Sequence, residues 1–416
     1  MVRSGLMAGL FSVAALTACA TGPLAPPAAP PSVAGAPPAL APRPDAPPPS
    51  SAPPQAPRTT TECPLPSPAP GAPSSPAQPG APPARRRPPD GPLTEAERTQ
   101  ALDRLTDALQ AKYVFPDLAR KATATLRTKR NRRAYDPLAT GHAFADTVTA
   151  DLDQVLNDLH FRVLYRAEGI QEDELRGEPS AAERALHEAE GRYLNGGFER
   201  VERLPGNIGY IALTSFSFPA RGARAAAAAM ELLADTDALI IDVRHNPGGD
   251  PDLVATLCSY FFPEPVHLND IYDRPKNATR QYWTSAAIPG RRYLDRPIYV
   301  LISRRTFSGA EEFAYDLQQL KRATLVGETT GGGANPGEVL RLSEHLAAFI
   351  PTGRAINPVS RTNWERIGVK PDLAVPADDA LRLAQIEALQ KVLPKISSPE
   401  RKVLLEERLK QLGETR

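Results

Sequence analysis

The spacing of apolar residues divides the chain into a helical stretch followed by an alternating one. A Thr94-x-x-Glu97 capping pair opens the first periodic segment, and Leu102, Leu105 and Leu109 then recur at helical spacing. Similar patterns predict helices over about 117–131 and 138–157, and Phe161 to Tyr165 is short and apolar enough for a strand. Residues 166–205 are polar and charged, with one helix expected over about 180–192. From Ile208 the texture changes. Strands are expected at Ile208 to Leu213, Ala238 to Val243, Pro297 to Ile302 and Ala323 to Val326. Helices are expected between them at Ala220 to Ala234, Asp250 to Phe262 and Ser308 to Leu320. Strands alternating with helices imply crossover units around a central sheet, so the fold class is α/β with flanking helices. Residues 338–372 read as β-hairpins, and helices over about 377–393 and 398–412 close the chain. No internal repeat is present. The implied divisions are a helical domain at 93–165, a charged connector at 166–205, an α/β core at 206–395 and a charged C-terminal helix at 396–416.

Composition changes this picture at the N-terminal end. Of 46 prolines, 27 fall in residues 21–92, a segment with too little apolar surface to offset the entropy of ordering. It reads as an extended tether. Ahead of it, Arg3 and the apolar stretch Gly5 to Leu16 form a secretory signal, too short to span a bilayer. Leu16-Thr17-Ala18-Cys19 resembles the bacterial lipobox, in which the cysteine is lipidated and becomes the mature N-terminus. The expected division is therefore a signal peptide at 1–18, and a lipidated Cys19 with its tether at 19–92. Ala20, where Asp would signal inner-membrane retention, points to an outer-membrane anchor facing the periplasm. With 49 basic and 48 acidic side chains the chain lacks the basic excess of a nucleic-acid binder. The run Arg85-Arg86-Arg87 reads as a solvated linker end. Three cysteines without paired spacing support neither a disulfide framework nor a zinc cluster, and no cofactor or metal is implied. Cys63 has no evident role.

Three strand-to-helix or strand-to-loop junctions carry candidate chemistry. Asp242 to Asp250 holds the pair Gly248-Gly249, which frees backbone N–H groups to face a developing negative charge, or simply makes a tight turn. Ser308 opens a helix. It serves there either as an N-cap, with Glu311 completing a capping box, or as a nucleophile favoured by the helix N-terminus. Gly327 to Ala334 is a Gly-rich loop without the Lys-Ser/Thr ending of a phosphate-binding loop.

Taken together, "LIIDVRHNPGG", "SRRTFSGAEEFAYDLQ", "LVGETTGGGANPG" and "IPTGRAINPVSRTNWERIGVKPDLAV" resemble the serine peptidases that include the C-terminal-processing proteases and the tricorn core protease. The nearest look is to the subgroup sharing the repeat of interphotoreceptor retinoid-binding protein. The resemblance covers roughly residues 95–395 and implies a crotonase-like/ClpP-like spiral core. It places the nucleophile at Ser308. The processing proteases activate that serine with a Lys where this chain has Gly333, so the implied base is different. Asp158-Leu159-His160-Phe161-Arg162-Val163 matches the element that carries a His base in the tricorn-like branch, and Glu365 stands where that branch has its acid. The implied triad is Ser308, His160 and Glu365, with Gly309 and Gly248 or Gly249 as oxyanion-hole donors. His245 is the competing base, and Glu311 and Glu312 are the alternative acids. Tricorn places a relay Ser just before its His; Leu159 stands there in this chain.

The function implied is a membrane-tethered serine endopeptidase acting on peptides or unstructured protein segments. The processing proteases carry a substrate-capturing PDZ domain that 40 connector residues cannot hold, so tail-specific recognition is not expected. Two rivals remain open: a non-catalytic module binding an apolar ligand or peptide on the same fold, and a structural envelope lipoprotein.

Overall fold

The computed structural model describes residues 89–170 and 180–414. The signal peptide, Cys19 and the tether up to residue 88 lie outside the described residues.

Helices α1 (Glu95–Lys112), α2 (Pro116–Asn131) and α3 (Gly141–Leu156) come first. The expected cap is present, with Thr94 Oγ1 accepting the Glu97 N–H at 3.2 Å. Leu102, Leu105 and Leu109 are buried as their spacing required. Asn157 ends α3 in the left-handed conformation (φ 50°), which a short amide side chain tolerates, and turns the chain into Asp158-Leu159-His160. Strand β1 (Arg162–Tyr165) follows, then α4 (Ala181–Tyr193).

The next elements are β2 (Phe198–Leu204), β3 (Ile208–Leu213), α5 (Pro219–Leu232), β4 (Ala238–Asp242), α6 (Pro251–Cys258), β5 (His267–Asp273) and β6 (Ala278–Trp283). They lead to β7 (Ile298–Ile302), α7 (Gly309–Gln319), β8 (Thr324–Gly327), β9 (Gly337–Arg341), β10 (Leu346–Pro351), β11 (Gly353–Ile356) and β12 (Leu373–Ala374). Helices α8 (Ala377–Val392) and α9 (Pro399–Glu414) end the described chain.

The main sheet has the order β12-β8-β7-β4-β3-β2, parallel throughout except for β2. Every residue of β4 and β7 is buried, as a parallel sheet covered on both faces demands. One face packs under α5, α6 and α7, the other under α8 and α9. This is the α/β architecture expected from the alternation of strands and helices.

The N-terminal helices close their own core against a second sheet of order β1-β10-β9. Leu342, Leu346, Ala348 and Ile350 join Leu105, Leu109 and Phe144 there. The register pairs Arg162 with Phe349, which draws the segment after α3 to a strand far along the chain.

Four strands escaped the sequence pattern: β2, β5, β6 and the two-residue β12. β2 and β6 are edge strands rich in charged or polar residues, with a single buried position each, so neither shows the alternation that marks a half-buried strand. β5 pairs with both β6 and β11. Of the hairpins expected over 338–372, β9 and β10 form one, whereas β11 joins the β5 sheet. The helix expected to reach Phe262 stops at Cys258 and tightens into a 3-10 turn over Ser259–Phe261.

Candidate active site

The carboxyl ends of β4, β7 and β8 lie side by side, and each leads into one of the three junctions. This is where ligands bind in open α/β sheets. Thr306 braces the β7 junction: its hydroxyl accepts the Ser303 N–H and donates to the Val243 carbonyl, both at 2.9 Å. Ser308 then takes φ 52°, ψ −122°, a left-handed conformation that a residue with a Cβ holds only under strain. Its Oγ lies 3.0 Å from His160 Nε2. Glu311 supplies the other half of the cap, its Oε2 accepting the Ser308 N–H at 2.8 Å. His245, the competing base, is exposed beside the Gly pair; the serine hydroxyl meets His160.

His160 is set by the turn after α3. Asp158 Oδ1 accepts its backbone N–H at 3.0 Å, and its ring lies against Phe307 and Phe349, with centroids at 4.7 and 5.7 Å. Burial, with the nearby Arg162 charge, pushes the imidazole pKa down to about 3. The ring is therefore neutral and able to accept a proton from Ser308. Nδ1 is buried and has no hydrogen-bond partner among the described residues.

Glu365 stands beside this ring without bonding to it. Its Oε1 accepts the Leu159 N–H at 3.0 Å and its Oε2 the Ala334 N–H at 2.6 Å. It thereby ties the His160 turn to the Gly-rich loop, and burial holds its pKa above the usual carboxylate range. One ligand atom each of Asp158, His160 and Glu365 lies within 4.8 Å of the others. The carboxylate oxygens of Asp158 and Glu365 accept from surrounding N–H and O–H donors.

The Gly pair packs directly on the nucleophile turn. A Cβ at Gly248 (φ 104°) would lie 2.6 Å from Gly309 N and 2.9 Å from Ser308 Cβ; one at Gly249 (φ 143°) would lie 2.3 Å from the Phe216 carbonyl carbon. The Gly248 N–H is engaged by Asn246 Oδ1 at 2.8 Å. Of the two, Gly249 is therefore the better placed as an anion donor. Gly309 is the first residue of α7, where an N–H has no intrahelical acceptor.

Glu311 has a larger role than the cap the sequence suggested. Its carboxylate also accepts from the N–H groups of Gly332 (2.6 Å) and Gly333 (2.8 Å) and from the Thr330 hydroxyl. It holds the Gly-rich loop against the nucleophile turn and is not directed at the imidazole. Glu312, the other alternative acid, is also turned away, its Oε1 accepting from Asn269 Nδ2 at 3.1 Å. Trp364, buried, donates from Nε1 to the Gly333 carbonyl at 2.7 Å.

Gly333, where the resemblance sets a Lys, faces the site with no room to spare. A Cβ there would come within 2.2 Å of Phe307 Cζ and 2.7 Å of His160 Cε1. His160 and Phe307 thus occupy the space a longer side chain would need. Gly333→Ala should displace the imidazole and slow any reaction that passes through the Ser308–His160 contact by roughly 100-fold, because small misplacements of a reacting group are costly. A melting curve close to wild type alongside that loss would locate the effect at the ring; unchanged activity would refute it.

Behind the nucleophile, α7 carries two further buried acids. Burial pushes Glu312 up to about 7 and Asp316 well above its usual range. Each binds its proton more tightly folded than unfolded. Their contribution to stability is therefore full below about pH 4 and is lost as pH rises through 7. Glu312→Gln keeps an acceptor for Asn269 and removes the titration. Calorimetry should show a flatter fall in stability between pH 5 and 8, with a gain on the order of 3 kcal/mol at the upper end. Identical slopes for variant and wild type would contradict this.

A serine oxygen facing a neutral imidazole at a helix start, with backbone N–H groups alongside, is the arrangement of serine hydrolases. Residues 207–375 match peptidase family S41. The carboxyl-terminal-processing protease of Synechocystis sp. is 30% identical over 171 residues, covering 41% of this chain and 38% of that protein. The carboxy-terminal-processing protease of Bartonella bacilliformis is 29% identical over 177 residues, covering 42% and 40%. The chain thus spans about two fifths of the length of these curated relatives. Among solved structures, the photosystem II D1 C-terminal processing protease matches with a TM-score of 0.43 and 18% identity, over 69% of this chain and 94% of that one. The family match and the curated relatives support the serine-peptidase resemblance seen in the motifs.

Proposed function

We propose that this chain is a serine peptidase that hydrolyses peptide bonds in peptides or unstructured protein segments through Ser308, His160 and Glu365. The observation that carries the reading is the 3.0 Å approach of Ser308 Oγ to His160 Nε2. Ser308 Oγ attacks the scissile carbonyl carbon as His160 Nε2 takes its proton. The N–H groups of Gly309 and Gly249 stabilise the oxyanion, and His160 returns the proton to the leaving amine. Water, activated by the same imidazole, then hydrolyses the acyl-enzyme. Glu365 favours the imidazolium by its nearby charge and fixes the turn that carries the ring.

In this reading Cys19 carries a lipid and the Pro-rich segment spaces the enzyme from a bacterial envelope membrane, facing the periplasm. The branch with a His base and the interphotoreceptor-repeat look accounts for Gly333 in place of a Lys. A fluorophosphonate probe tests the chemistry. Covalent labelling of the folded wild type, lost in Ser308→Ala and in His160→Ala, supports a hydrolase. A folded wild type that takes no label returns the chain to the binding-module reading.

A further inference from the structure

The peptidase reading leaves Asp158 without a task, although it is more deeply buried than Glu365. It is 1% exposed, and both its oxygens are engaged. Oδ1 accepts the His160 N–H at 3.0 Å. Oδ2 accepts from Tyr113 Oη at 3.1 Å and from Asn335 Nδ2 at 3.0 Å. Tyr113 ends α1 and Asn335 follows the Gly-rich loop, so this carboxyl joins the N-terminal helices, the base and the loop in one network. A carboxylate with such a set of donors and, among the described residues, no ion pair to Lys or Arg serves something other than surface charge balance.

Its charged surroundings are few. Glu365 approaches it from the segment before β12 and Arg366 lies next in that segment, itself paired with Asp153. His160 and Arg162 belong to its own stretch of chain, and Tyr113 faces it from α1. Two carboxyls so close, one of them fully buried, do not ionise independently.

We propose that Asp158 is a positioning residue of the hydrolytic reaction. It holds His160 in place through the backbone and, when ionised, adds the second negative charge that stabilises the imidazolium formed as Ser308 gives up its proton. The inference rests on the peptidase reading. Burial and the Glu365 charge push Asp158 up to about 7, so its ionisation falls where the reaction would be assayed.

Asp158→Asn tests the charge with little change of shape. The amide oxygen still accepts the His160 N–H. Asn335 Oδ1, buried and unpartnered, can accept from the new amide nitrogen if the Asn335 side chain flips. Tyr113→Phe removes one donor that favours the ionised acid. The readout is the second-order rate of fluorophosphonate labelling between pH 5 and 9, with circular dichroism as the control for folding. Wild type should lose rate on the acid side of about pH 7. Asp158→Asn should lack that limb and label roughly 10- to 100-fold more slowly at its plateau. Tyr113→Phe should move the limb upward by about one pH unit. Equal slowing with an unchanged limb, or a wild-type profile in Asp158→Asn, overturns the inference while leaving the peptidase intact. Absence of labelling in folded wild type overturns the peptidase reading instead.

Discussion

Ser308→Ala and His160→Ala should each lower kcat/KM for dye-labelled casein by a factor on the order of 10⁴ to 10⁶, and the double replacement should cost no more than either alone. The non-additivity follows from the geometry. The imidazole is useful only for the proton on Ser308 Oγ, 3.0 Å away, and the serine is a weak nucleophile without it. What remains in the variants is stabilisation of the oxyanion by backbone N–H groups, which neither replacement removes. Losses that multiply would show that the two side chains act in separate steps, and the proposed pairing would fail.

Glu311 should give the second large effect, on stability as well as rate. One carboxylate takes donors from Ser308, Thr330, Gly332 and Gly333 in a buried place. Glu311→Ala strands all four, and unmet buried donors cost about 1–3 kcal/mol each before relaxation. A loss of at least about 3–5 kcal/mol is expected in chemical denaturation, comparable to breaking a buried charge network. Glu311→Gln is expected to be only slightly milder, because its NH₂ would face N–H groups. Hydrolysis should fall in both, since the nucleophile turn and the loop bearing Gly333 lose their common anchor. Stability within 1 kcal/mol of wild type would show that solvent or neighbouring carbonyls replace the carboxylate.

The contrast between Ser308 and Glu311 shows what could be read from the sequence. Both were visible as a capping pair because that signal is local, three residues apart after a strand. Which way the serine hydroxyl points depends on a ring 148 residues upstream, and no local pattern encodes that contact. The hub formed by Glu311 escaped for the same reason, since its other donors lie 19 to 22 residues downstream. The main sheet was legible because β4 and β7 are continuous apolar runs between helices. Strands β2 and β6 were not, since edge strands exposed to water keep no hydrophobic rhythm. The pairing of His160 with Ser308 came through resemblance of motifs, whereas the place of Asp158 in the network needed the fold.

The pairing of β1 with β10 has a consequence for the timing of activity. Arg162 meets Phe349 across 187 residues of chain, and such distant closures are reached late because their loop entropy must be overcome first. While residues beyond 340 are still in the ribosome, the base has no strand to dock on, and the sheet that bears the serine turn lacks α8 and α9 over one face. A half-made chain therefore has neither a supported nucleophile turn nor a docked proton acceptor. In the proposed peptidase this would restrain attack on unfolded sister chains, which are themselves potential substrates, until the last strands are in place.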